Sequence, residues 1–223
     1  MIYVNGEGFS AASCSASNFE YAAQDPKYFL LSTLPHPKNF DASYAKILSN
    51  ALHQSLRNDS YIGNSWRKIV REIFQMIEKN KVNYIVISWP DFYRGEVIYN
   101  NKVQPFYFND VDNENTPSDL KKLIFNYFEN FKMEEEQKDF IEAVSKLSKY
   151  LELNKIYHTF MMSNSTIAES IVTDTDVWLF NPSNNTIKQW AIDNNLLNEL
   201  QFLTEQGHKE LGKIVLTHLT NQL

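Results

Sequence analysis

The short apolar run Ile2 to Val4 ends in Asn5-Gly6-Glu7-Gly8-Phe9-Ser10, so a strand is expected to open directly into a glycine turn. Gly6-Glu7-Gly8 lacks a third glycine and any Gly-Lys-Ser/Thr, which excludes a dinucleotide fingerprint and a phosphate loop. Ser10 lies two residues past the turn and is expected to point elsewhere, and Ser13, Ser15 and Ser17 are placed worse. A second turn, Ile62-Gly63-Asn64-Ser65, precedes a helical pattern and could offer N–H donors to a developing oxyanion. A glycine turn into a helix needs no such role to exist. Asp91, Arg94 and Glu96 follow the strongest strand pattern, at the strand end where ligands of open α/β sheets bind. An Arg–Glu pair bracing the following loop is the favoured reading of that cluster. His36, His53, His158, His208 and His218 show no i, i+4 ligand spacing with a nearby carboxylate, so no metal is expected. Glu134-Glu135-Glu136 reads as a solvated helix start. Cys14, the only cysteine, excludes an intrachain disulfide, reads as a small structural residue and suggests a reducing compartment.

The elements that must position these groups follow from hydrophobic period. Tyr44, Ile47, Leu48, Ala51 and Leu52 share a helical face within about Ala42 to His53, and a short strand is expected near Ser55 to Asn58. Ser65 is placed to cap a helix in which Trp66, Ile69, Val70, Ile73, Phe74 and Ile77 keep i, i+3, i+4 spacing up to Asn80. Val82 to Trp89 has the uninterrupted apolar centre of a buried parallel strand. Asn100-Asn101 suits a hairpin turn. Thr116-Pro117-Ser118-Asp119 reads as a helix start with Thr116 as cap. A second helix then buries Phe140, Ile141, Val144, Leu147 and Leu151. Ile156 to Met162 and Val177 to Phe180 read as strands, followed by a helix through Ile187 and Trp190 and a terminal helix from about Thr204 to Thr220. Residues 10 to 41 read as a loop or short helices. Strands separated by helices imply one α/β domain over residues 1–223, a three-layer α/β/α sandwich on a mostly parallel five-stranded sheet.

Composition narrows the partners. With 43% hydrophobic residues the chain can bury a core, and a net charge of -6 without a basic cluster argues against nucleic acid. The start MIYVNGEGFS has neither a charged leader nor an apolar core, so no signal peptide is expected, and nothing suggests a membrane span.

Four blocks in order resemble the SGNH (GDSL-type) hydrolases, in particular their phage-encoded relatives. They are Val4-Asn5-Gly6-Glu7-Gly8-Phe9-Ser10; Asn58 to Trp66 with Gly63-Asn64-Ser65 and Arg71 beyond; Ile85-Val86-Ile87-Ser88-Trp89 followed by Arg94-Gly95-Glu96; and Gly207-His208-Lys209 before the terminal helix. The resemblance spans nearly the whole chain and implies strand order 2-1-3-4-5, as in flavodoxin-like sheets. It also implies where the catalytic groups would stand. The nucleophilic serine maps onto Gly8, which has no side chain. The general-base histidine maps onto Phe202 and its aspartate onto Glu199, while His208 matches a helix-capping position. A phenyl ring accepts no proton, and losing either member of such a triad costs several orders of magnitude in rate.

The expectation is therefore a catalytically inactive SGNH-like domain, with Glu7, Gly8, Ser10, Gly63, Asn64, Asp91, Arg94, Glu199, Phe202 and His208 lining a vestigial cleft and no cofactor or metal. The phage-type resemblance suggests synthesis in a host cytoplasm and a place in the virion. Partners would be other protein subunits or a glycan, for which 15 Phe, 12 Tyr and 4 Trp are suited. Two alternatives stay open: an active esterase or acetylhydrolase with a relocated nucleophile, and an unrelated doubly wound binding domain.

Overall fold

A computed structural model describes residues 1–12, 37–61, 63–172 and 176–222. Cys14, His36 and most of the 10–41 segment lie outside them. Strand β1 (Ile2–Gly6) is central, as the order implied by the resemblance expects: it pairs in parallel with β2 (Leu56–Asn58) through Ile2–Leu56 and with β3 (Tyr84–Trp89) through Tyr3–Ile85. Strand β6 (Tyr157–Met162) completes the order β2-β1-β3-β6 by pairing in parallel with β3.

Alternation along these strands divides the core into two layers. Tyr3, Ile85, Ile87, Trp89 and Phe160 face one side, where helix α3 (Trp66–Lys79) and helix α5 (Met133–Leu153) cover them. Ile2, Val4, Val86 and Met161 face the other, under α2 (Tyr44–Ala51), α6 (Ile187–Asp193) and α7 (Glu205–Thr220). A short α1 (Pro37–Ala42) leads into α2. The result is the three-layer sandwich, with apolar side chains on both sheet faces as a parallel sheet demands.

Helix α3 starts where the sequence places it, with the Ser65 hydroxyl accepting from the Lys68 N–H at 3.1 Å. Trp66, Ile69 and Ile73 are buried, and Phe74 is half-buried against Tyr150. Ile73→Ala is expected to cost about 2–4 kcal/mol, because a fully buried site facing a packed sheet collapses poorly. Urea unfolding checks this, and a loss under about 1 kcal/mol would show that the site relaxes freely.

Three sequence readings are corrected. The fifth strand at Val177 to Phe180 reduces to one parallel bridge, Phe160 with Trp178, flanked by Phe160 N–H to Val177 O and Leu179 N–H to Phe160 O, both 2.9 Å. Asn181 cuts it short: its carbonyl accepts from Asn184 and Asn185 and its side chain from Ser183, which turns the chain away. Thr116 does not cap the next helix, α4 (Ser118–Glu129); Pro117 takes the capping position with no side-chain bond. Glu136 is not solvated. It is buried, accepts from Trp66 Nε1 at 2.7 Å and pairs with both terminal guanidinium nitrogens of Arg67, so α3 and α5 are joined by a charged clamp.

Strands β4 (Arg94–Tyr99) and β5 (Lys102–Tyr107) form the expected hairpin, with Asn100 and Asn101 both at positive φ (51° and 59°). Positive φ at both central residues is the geometry of a type I′ turn, and asparagine tolerates it. The hairpin packs on α4 through Phe106, Leu120 and Ile124 as a side lobe. At the outer side of β6, Gln222 donates from Nε2 to His158 O at 2.9 Å and accepts from His158 N–H at 3.3 Å.

Candidate functional site

The C-terminal ends of the strands meet at the turn following β1. Gly6 lies opposite Ser88, and a Cβ there would stand 2.6 Å from the Ser88 carbonyl oxygen, so only glycine lets β1 and β3 approach this closely. Gly8 follows within the turn and is buried. The turn after β2 is tied to it: Tyr61 N–H donates to Gly6 O at 3.3 Å, and Asn64 Nδ2 donates to Asn5 Oδ1 at 2.9 Å and to Gly6 O at 3.0 Å. Gly63, at φ 95°, permits that turn.

Phe202 reaches the same edge. Leu197 and Leu203 form an antiparallel bridge closing a loop in which Asn198 N–H donates to Phe202 O at 2.8 Å and Phe202 N–H to Asn198 Oδ1 at 3.1 Å. The ring so presented lies 6.3 Å from that of Phe9, the neighbour of Gly8. Phe202 is thus brought against the residue that follows Gly8. Glu199 is exposed on the loop.

The nearest hydroxyl and imidazole are committed elsewhere. Ser10 is fully buried, its Oγ bonded to Tyr44 Oη and, at 2.6 Å, to Ser88 Oγ. Burial raises the Tyr44 phenol well above its ordinary range, so this hydroxyl chain contains no base at neutral pH. His208 is also fully buried. Its Nδ1 accepts from Tyr44 N–H at 3.3 Å, and its ring stacks on Tyr44 at 6.0 Å. An accepting Nδ1 places the single proton of the neutral ring on Nε2 and engages the Nδ1 lone pair with a backbone N–H. Burial pulls the His208 pKa down to about 3, which keeps the ring neutral. Sequence reasoning found Ser10 and His208 but missed Tyr44 and Ser88, which join them to the sheet; only the register of Gly6 with Ser88 could have signalled the latter.

Arg94 corrects the bracing-pair reading. Glu96 pairs with Arg71, at 2.7 and 3.0 Å, and accepts from Ser65. Arg94 instead reaches into the edge between Glu7 (Nη2 to Oε2, 3.6 Å) and Asp91 (Nε to Oδ2, 3.5 Å), with Tyr107 beneath it at 5.4 Å. A Cβ on Gly63 would be 3.7 Å from Arg94 Nη1, so the Gly63–Asn64 turn borders the guanidinium.

A serine–histidine pair exists at the opposite end of the sheet. Ser148 Oγ lies 2.8 Å from His158 Nε2, and His158 Nδ1 lies 3.0 Å from Ile156 O. A cavity of about 420 Å³ beside it is lined by His158, Glu152, Asp176 and Gln222 but not by Ser148, so the hydroxyl is screened from it. Among the described residues no cluster of His, Cys, Asp and Glu could hold a metal ion, and no helix is long and apolar enough to cross a membrane.

No protein-family model matches the chain, and no curated protein matches it. Solved structures do. It is similar to the psychrotrophic esterase EstA from Pseudoalteromonas sp., with 12% identity and a TM-score of 0.50 over 99% of this chain and 97% of that one. The chain has the SGNH-hydrolase fold. The acetyl xylan esterase Est2A from Butyrivibrio proteoclasticus and a family two carbohydrate esterase from Clostridium thermocellum, the latter solved with cellohexaose, each match at 11% identity and a TM-score of 0.51. Both cover 99% of this chain, which spans 63% of theirs. Identities this low speak to the SGNH fold alone; function rests on the residues placed upon it.

Proposed function

We propose that this chain is a non-catalytic SGNH-fold domain serving recognition or structure. The observation that supports this reading is the contact of Phe202 with Phe9 beside Gly8: where the family resemblance would put a serine and its base, the chain carries a glycine and a phenyl ring. Neither gives nor takes a proton, and the binding effects left without a nucleophile–base pair account for only a small part of hydrolase rates. The phage-type resemblance extends the proposal to a protein subunit of a virion; its absence from the mass spectrum of purified particles would count against that extension.

The rival reading, an esterase with a relocated nucleophile, draws on the closeness of Ser10, Tyr44 and His208. The accepting Nδ1 of His208 and the full burial of Ser10 weigh against it. Purified protein should release p-nitrophenol from p-nitrophenyl acetate no faster than the same protein with Ser10→Ala. Faster turnover that Ser10→Ala or Ser148→Ala removes would overturn the non-catalytic reading.

A further inference from the structure

The outer side of β6 is covered unevenly. Every second residue of a parallel strand turns its N–H and C=O toward the same neighbour, and on this side two of them are His158 and Phe160. The chain meets Phe160 with backbone, through Val177 O and Leu179 N–H. Two residues back in register, a continuing strand would offer His158 the same pair of groups. The Gln222 side chain offers them instead, its Oε1 accepting at 3.3 Å and its Nε2 donating at 2.9 Å.

That amide is replaceable. One of its two bonds is long, and Gln222 is half-buried two residues past α7, where its own backbone N–H is held by Leu219 O. Turning the side chain aside breaks no strand pairing. A cavity of about 420 Å³ opens beside the slot, within the range of about 300–1,000 Å³ common to ligand sites. The His158 ring is spent inside the fold, on Ser148 Oγ and Ile156 O, so the chemistry His158 can offer a ligand is its backbone pair. Tyr157 and Val177 supply apolar wall, and the exposed Glu152 and Asp176 share the rim with one ammonium, that of Lys155. The rim thus carries a formal excess of one negative charge. The slot selects an N–H and a C=O spaced as in a peptide, and the rim selects a basic side chain beside them. An apolar ligand that evicted Gln222 would leave both groups of His158 unpaired.

We propose that β6 takes up an extended basic peptide at His158, which displaces the Gln222 amide and sets a cationic side chain between Glu152 and Asp176. In such strand addition the main chain supplies affinity and the side-chain site supplies selection. The site lies at the opposite end of the sheet from the Gly8 crevice and stands whether or not that crevice is catalytic.

The full-length chain is titrated, by fluorescence anisotropy, with labelled acetyl-Val-Thr-Arg-Thr-Val-amide. Three counterparts are the same peptide with Glu in place of Arg, a version N-methylated throughout, and labelled arginine amide. The arginine peptide is expected to bind, and the other three to bind more weakly. Gln222→Ala, which removes the internal competitor, should tighten binding roughly fivefold, the scale of one or two neutral hydrogen bonds. Glu152→Gln and Asp176→Asn should each weaken it about threefold, as for an exposed ion pair. A cavity that merely depended on Gln222 for its shape would give the opposite sign for the first variant. If Gln222→Ala does not fold, the N-methylated peptide and Glu152→Gln carry the test on the wild-type frame. No binding of the arginine peptide, equal binding of any counterpart, or unchanged or weaker binding by folded Gln222→Ala would overturn the proposal.

Discussion

Gly6→Ala is expected to destabilise the protein by about 3–5 kcal/mol, at the upper end of single-substitution effects. The added methyl would fall 2.6 Å from the Ser88 carbonyl oxygen and closer still to its hydroxyl. Neither can step aside, because Ser88 lies within the β3 ladder and its Oγ is bonded to buried Ser10. The φ of 155° at Gly6 adds backbone strain for any L side chain. Relief would require β1 and β3 to separate at the centre of the sheet. Equilibrium urea unfolding of the wild type and variant measures the difference, and a loss below about 1 kcal/mol would mean that the strands part easily there.

Stability should fall in mild acid, with His208 a main contributor. Burial lowers the His208 pKa from 6.5 to about 3, so the folded state keeps the ring neutral while the unfolded chain takes up a proton below pH 6.5. Where the unfolded state binds more protons, stability rises with pH. The contribution is therefore fully present above about pH 6.5 and is lost progressively as pH falls toward 3. Each pH unit within that window costs about 1.4 kcal/mol, or about 2 kcal/mol between pH 7 and pH 5. His208→Gln should lower stability at pH 7 but flatten this slope. Equal slopes for the two proteins from denaturation curves at pH 7, 6 and 5 would refute the assignment.

What could be read from the sequence was what is encoded locally. The unbroken apolar stretch before Trp89 marks a strand covered on both faces, and the spacing from Trp66 to Ile77 marks an amphipathic helix with its cap. The asparagine pair at 100 and 101 marks a hairpin. The glycine turn and the Phe202 segment could be placed at one edge because the fold brings the first turn and the start of the last helix together. What could not be read depended on partners far along the chain. An acidic triplet at a helix start says nothing of Arg67, 69 residues before Glu136. Arg94 and Glu96 lie on the same face of a strand and invite pairing, yet α3 brings Arg71 to one and the β1 turn brings Glu7 to the other. The Val177 to Phe180 run is apolar enough for a strand, and only the turn anchored on Asn181 limits it to one bridge. The tautomer of His208, which decides whether it can act as a base, follows from a backbone N–H on another helix.

The Gln222 amide beside β6 carries a further consequence. A primary amide offers one N–H and one C=O with the chemistry of a peptide group, and it meets His158 with both. To the sheet, that side chain is a one-residue counterfeit of a strand that pairs with β6 only farther along, at Trp178 opposite Phe160. An open edge is a template on which a foreign chain can add and from which fibrils can grow. Here an intruding strand would first have to evict an amide already seated in the hydrogen-bonding slot. The Gln222 side chain thus occupies one backbone slot of β6 at a place where the sheet is one strand short.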